Sequence, residues 1–67
     1  MPNRLLRISQ VLDRTCQSRS TLYTRIAEGS FPKQVTLGPR SVRWVEAEVE
    51  DWISRRISDS RNGSQAH

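Results

Sequence analysis

The apolar rhythm of this chain changes from helical to strand-like across Gly29-Ser30-Phe31-Pro32, and that break constrains the fold more than any other feature. Before it, Leu22 and Ile26 stand four residues apart, as on the buried face of an amphipathic helix. After it, Val35-Thr36-Leu37 and Val42-Arg43-Trp44 alternate with a period of two, the pattern of half-buried strands. Gly29 falls where a left-handed residue would end a helix, and Pro32 prevents its resumption. Both regimes must share 67 residues, which allows one small domain near the lower limit for a lone hydrophobic core.

The elements follow from this frame. Arg4-Leu5-Leu6-Arg7-Ile8 reads as a brief strand leading into a helix over 10–15, with Ser9 as its N-cap. Cys16-Gln17 makes a tight connection, and Ser18 caps a second helix over 19–28. The alternating segments predict a hairpin over 34–45 with Val35, Leu37, Val42 and Trp44 inward, Thr36 and Arg43 outward, and Gly38-Pro39-Arg40-Ser41 at the tip. Val45, Val49, Trp52, Ile53 and Ile57 form an apolar stripe on a third helix over 46–57. Residues 58–67 show no apolar pattern and read as a disordered tail, so the domain is expected over 1–57. The expected core is Ile8, Val11, Leu12, Cys16, Leu22, Ile26, Phe31, Val35, Leu37, Val42, Trp44, Val49, Trp52 and Ile53.

Several classes of function are excluded by what such a chain can hold. One cysteine and one histidine give neither a disulfide framework nor the four ligands of a structural zinc site. There is no nucleophile–base pair and no phosphate-binding glycine loop, so no enzyme, metal or cofactor is expected. No apolar run is longer than a pair such as Leu5-Leu6, far short of a signal peptide or a membrane span. The expectation is a cytoplasmic, nucleoid-associated binding module with no membrane partner.

Charge points to the partner. Of the net +4, residues 1–44 carry eight basic side chains against Asp13 and Glu28, a net of +6. The remainder carries Arg55, Arg56 and Arg61 against Glu46, Glu48, Glu50, Asp51 and Asp59, a net of −2. Ten of the eleven cations are arginine, whose forked donors suit phosphates and guanine edges. Two short serine-capped helices joined by a tight turn make a helix-turn-helix, whose second helix enters the major groove of DNA. Its outward positions are Arg19, Ser20, Thr21, Thr24 and Arg25, with Tyr23 on the flank and no carboxylate before Glu28. Ser18 caps this helix and is placed to donate to phosphate. The hairpin then reads as a wing whose Lys33, Arg40, Ser41 and Arg43 would meet backbone or minor groove. The acids opening the third helix complement its dipole rather than form a catalytic pair.

With these residues in view, the sequence resembles the AlpA family of phage-type transcriptional regulators, within the wider group of excisionase and MerR-like winged-helix proteins. The resemblance rests on Arg4-Leu5-Leu6-Arg7, Ser18-Arg19-Ser20-Thr21-Leu22-Tyr23, Gly29-Ser30-Phe31-Pro32-Lys33, Leu37-Gly38, Trp44, Glu48-Val49 and Trp52-Ile53, in order across residues 4–57. It implies a mostly α fold with a small β-hairpin: a winged helix-turn-helix of three helices plus a two- or three-stranded wing sheet. It also implies double-stranded DNA as the partner and a role in regulating prophage or mobile-element genes, with an excisionase-type recombination role as the alternative. Two departures stand out. Thr15-Cys16-Gln17 lacks the glycine many members carry, which places an unusual backbone conformation at Gln17, and Val45 leaves the third helix without a polar cap. A different class of reading is a protein-interaction adaptor using the acidic third helix. Self-association on repeated sites, and contact with a recombinase or RNA polymerase, are further expected partnerships.

Overall fold

In the computed structural model, which describes residues 4–64, the chain runs β1 (Leu5–Leu6), α1 (Ile8–Thr15), α2 (Arg19–Glu28), β2 (Val35–Gly38), β3 (Ser41–Val45) and α3 (Glu46–Ser64). The strands form one antiparallel sheet in the order β1-β3-β2, with Leu5 opposite Val45 and Leu6 opposite Trp44. Three helices on a small sheet give the mostly helical winged helix-turn-helix architecture expected from the residue pattern. Leu6, Val11, Leu22, Phe31, Trp44 and Val49 are buried, with Ile8, Leu12, Ile26, Val42, Trp52 and Ile53 packed against them. Trp44, on the central strand, is the largest fully buried side chain. At roughly 1.5–3 kcal/mol per buried large apolar side chain, so small a core leaves little margin for its loss.

The wing differs from expectation in which face it buries. A two-residue tip at Pro39-Arg40 without irregularity would pair Leu37 with Val42 and turn Val35 and Leu37 inward. Instead the register shifts between Thr36 and Gly38, so that Thr36 pairs with Val42 and Val35 with Arg43. A one-residue slip moves every side chain of a strand to its other face. Val35 and Leu37 are therefore exposed, the latter at 56%. Leu6, paired with Trp44 from the other edge of β3, is buried, and it escaped the expected core because a two-residue strand carries no readable period. Cys16 is also exposed rather than buried.

The helix ends were legible in type but not always in position. α1 starts at Ile8, with Arg7 rather than Ser9 at the N-cap; Gln10 Oε1 accepts from the Arg7 backbone N–H at 2.9 Å. The left-handed turn residue is Cys16 (φ 54°), not Gln17. Ahead of α3 the missing polar cap is replaced by main chain, since the Glu46 N–H donates to the Arg4 carbonyl at 2.8 Å. α3 itself continues past Ile57 to Ser64, so part of the segment expected as a disordered tail is helical. Through Asn62 that added stretch is exposed, consistent with an apolar stripe that ends at Ile57. Residues 65–67 lie outside the described residues.

Candidate nucleic-acid interface

α2 is held at both ends by local chemistry. Ser18 Oγ accepts the Thr21 backbone N–H at 3.2 Å and donates to Thr21 Oγ1 at 2.9 Å. The Ser18 hydroxyl thus serves the cap and the Thr21 side chain together. At the other end Gly29 adopts φ 81°, with its N–H on the Ile26 carbonyl and the Ser30 N–H on the Arg25 carbonyl. These bonds satisfy carbonyls that a helix terminus otherwise leaves open.

Burying Leu22 fixes which face α2 shows to solvent. Arg19, Ser20, Tyr23 and Thr24 are exposed, with Thr21 partly so. Ser20, Thr21 and Thr24 border one shallow depression with Arg25 and Glu28. Arg25 also reaches the other way: its guanidinium lies 5.7 Å from the centroid of the Trp52 ring on α3. Trp52 is held in turn by the bond from its Nε1–H to the Ser30 carbonyl at 2.6 Å and by an edge contact with Phe31, centroids 4.8 Å apart.

On the other flank of α2 a groove of about 360 Å³ opens between the starts of α1 and α2 and the wing. Arg7, Arg19, Tyr23, Arg40 and Arg43 line it, over a floor that includes the buried Trp44. No Asp or Glu contributes to its walls among the described residues. Arg43 donates to the Val42 carbonyl at 2.8 Å, and Ser41 sits half-buried at the foot of the tip. Lys33 is not brought here; it borders a different cleft with Glu48, Asp51 and Trp52. Arg7 was missed at the sequence level, since a basic residue between a short strand and a helix carries no periodic signal.

Three acids of α3, Glu46, Glu50 and Asp51, are occupied elsewhere. Arg14 bridges Glu46 at 3.0 Å and Glu50 at 2.6 Å, Arg4 approaches Glu46 at 3.8 Å, and Arg55 pairs with Asp51 at 3.0 Å. Arg7, Arg19, Arg40 and Arg43 have no ion pair among the described residues. Exposed ion pairs contribute only about 0–1 kcal/mol each to stability. Their effect here is to separate the charges: the pairs neutralise one side, and the groove beside α2 keeps its positive field.

The family model described as "Prophage CP4-57 regulatory protein (AlpA)" matches residues 4–57. The chain is 41% identical over 63 residues to the uncharacterized protein ORF88 of Enterobacteria phage P4, covering 94% of this chain and 72% of that protein. It is 37% identical over 59 residues to the DNA-binding transcriptional activator AlpA of Escherichia coli (strain K12), covering 79% of this chain and 84% of that one. No solved structure matches the chain.

Proposed function

The chain belongs to the AlpA family of prophage regulatory proteins, and from that premise we propose that it is a sequence-specific double-stranded DNA-binding regulator with no catalytic role of its own. The observation that carries this reading is the acid-free arginine groove running from α2 to the wing. Arg19 and Tyr23 line it from α2, whose Ser20, Thr21 and Thr24 border the separate depression and complete the polar face of a helix that would enter the major groove. Arg7, Arg40, Arg43 and Ser41 would hold the adjoining backbone or minor groove, fixing register while α2 reads bases. Arg25 borders the same polar face, but its engagement with Trp52 ties α2 to α3 and makes its role one of stability rather than DNA contact. Lys33, facing α3, contributes long-range field rather than a contact.

One domain of this size covers little DNA, so paired or repeated sites are expected. Footprinting on the DNA flanking its own coding sequence tests the reading. Protected sites repeated on one face of the duplex support it; no protection at any concentration that saturates random DNA defeats it. Protection confined to recombination sites rather than promoters would favour the excisionase role. The adaptor reading is weakened because Glu46 and Glu50 already serve Arg14. Glu48 has no ion pair among the described residues, so Glu48→Lys probes that reading without breaking the fold. For a DNA-binding domain, this change leaves DNA affinity equal or higher.

A further inference from the structure

A second groove, of about 470 Å³, lies on the Arg25 flank of α2, between the α1–α2 turn and the C-terminal half of α3. Its floor is apolar: Trp52 and Ile53 are half-buried, and Ile57 is 47% exposed. This is where the stripe of α3 runs beyond the core that covers its first half. Arg25 and Arg56 both reach the Trp52 ring, at 5.7 and 5.3 Å from its centroid, and neither has an ion pair among the described residues. Arg14, also in the wall, is already held by Glu46 and Glu50. No Asp or Glu lines the groove among the described residues. Gln17 Nε2 and Arg25 Nε, on residues that line the groove, are buried without a hydrogen-bond partner among the described residues.

We propose that this groove docks an acidic amphipathic helix of a partner protein, its apolar face on Trp52, Ile53 and Ile57 and its carboxylates toward Arg25 and Arg56. The chemistry selects this occupant. An apolar floor between cations matches a helix with an apolar stripe and acidic flanks. A phosphate backbone would use the arginines and leave the isoleucines against charge. Sheer exposure of scattered apolar residues is ordinary, but here three adjoin on one helix face beside unpaired cations. None of Arg7, Arg19, Arg40 and Arg43 lines this groove, so a DNA-bound copy would keep it open. The inference does not rest on the DNA-binding reading.

The chain has one cysteine, and Cys16 stands exposed at the edge of this groove, so its alkylation rate reports occupancy. The probe is a synthetic helical peptide with leucines at i, i+3, i+4 and i+7 and glutamates on its other faces, with a scrambled peptide of the same composition as control. The patterned peptide is expected to slow Cys16 alkylation and the scrambled one to leave it unchanged. Arg56→Gln and Ile57→Gln, both at exposed positions, should each weaken the peptide about fivefold or more. DNA affinity should stay within about twofold. Equal binding of the scrambled peptide overturns the proposal in favour of simple charge attraction. Loss of DNA affinity in both variants reassigns the groove to nucleic acid. Loss of self-association in sedimentation, with no effect on peptide, reassigns it to a second copy. If the peptide binds but the wild-type chain footprints no DNA, the regulator reading fails and the docking groove stands.

Discussion

Replacing Arg25 and Arg19 by alanine, one at a time, separates the two flanks of α2. Both arginines belong to one short basic helix, and sequence alone assigns both to DNA. The structure turns Arg25 onto Trp52 and leaves Arg19 in the arginine groove. For Arg25→Ala the losses are a cation–π contact of about 0.5–1 kcal/mol and the packing of a half-buried side-chain stem of similar size. Their sum, about 1–2 kcal/mol, corresponds to a fall in Tm of roughly 5–15 °C in a domain this small. Arg19→Ala removes no such contact and should leave Tm within a few degrees. On DNA the order reverses. Arg19→Ala should weaken the cognate site by roughly 1–3 kcal/mol, about 5- to 150-fold, if it reads a base. Measured well below its Tm, Arg25→Ala should weaken binding by no more than about threefold. Calorimetric melting and fluorescence anisotropy on one DNA duplex give both numbers. A thermally neutral Arg25→Ala that loses binding tenfold, beside an indifferent Arg19→Ala, would refute the placement of these side chains.

Two further substitutions test the parts of the fold that position the site. Cys16 sits at φ 54° in the helix-turn-helix turn, a conformation that costs a side-chain-bearing residue about 1–2 kcal/mol. Cys16→Gly should therefore raise stability by up to about 1 kcal/mol in denaturant unfolding, and a loss would show the turn to be unstrained. Leu6→Ala should cost about 2–5 kcal/mol, whereas Leu37→Ala should change stability by less than about 0.5 kcal/mol. A cost of about 2 kcal/mol or more for Leu37→Ala would mean that the wing pairs without its bulge.

What the residues reveal depends on how local the governing interaction is. Ser18 and Gly29 mark the ends of α2 correctly because a cap and a left-handed terminus involve only their own turn. The stripe on α3 is legible through Ile57 for the same reason: one helix sets its own period. Val35 and Leu37 mislead because their facing is decided by one bulge at Leu37, and alternation is identical on either face. Arg25 is ambiguous for a different reason. Helical spacing places it on a flank of α2, but only the packing of α3 supplies Trp52 beneath it. Arg7 joins the groove through the folding of the wing against the start of α1, a long-range event with no sequence signature. The acidic residues of α3 read correctly as a supporting cluster, though their specific tie to Arg14 does not emerge from charge counting.

The central claim is that Arg7, Arg19, Arg40 and Arg43 act together on DNA phosphates and neighbouring bases. Titrating affinity for the footprinted site against salt concentration tests it most directly. The three that hold backbone, Arg7, Arg40 and Arg43, predict that log affinity falls with log salt at a slope near −2.7, and that Arg7→Gln lowers its magnitude by about 0.9 on specific and random DNA alike. A slope near zero, or one that Arg7→Gln leaves unchanged, would contradict the assignment of this groove to DNA.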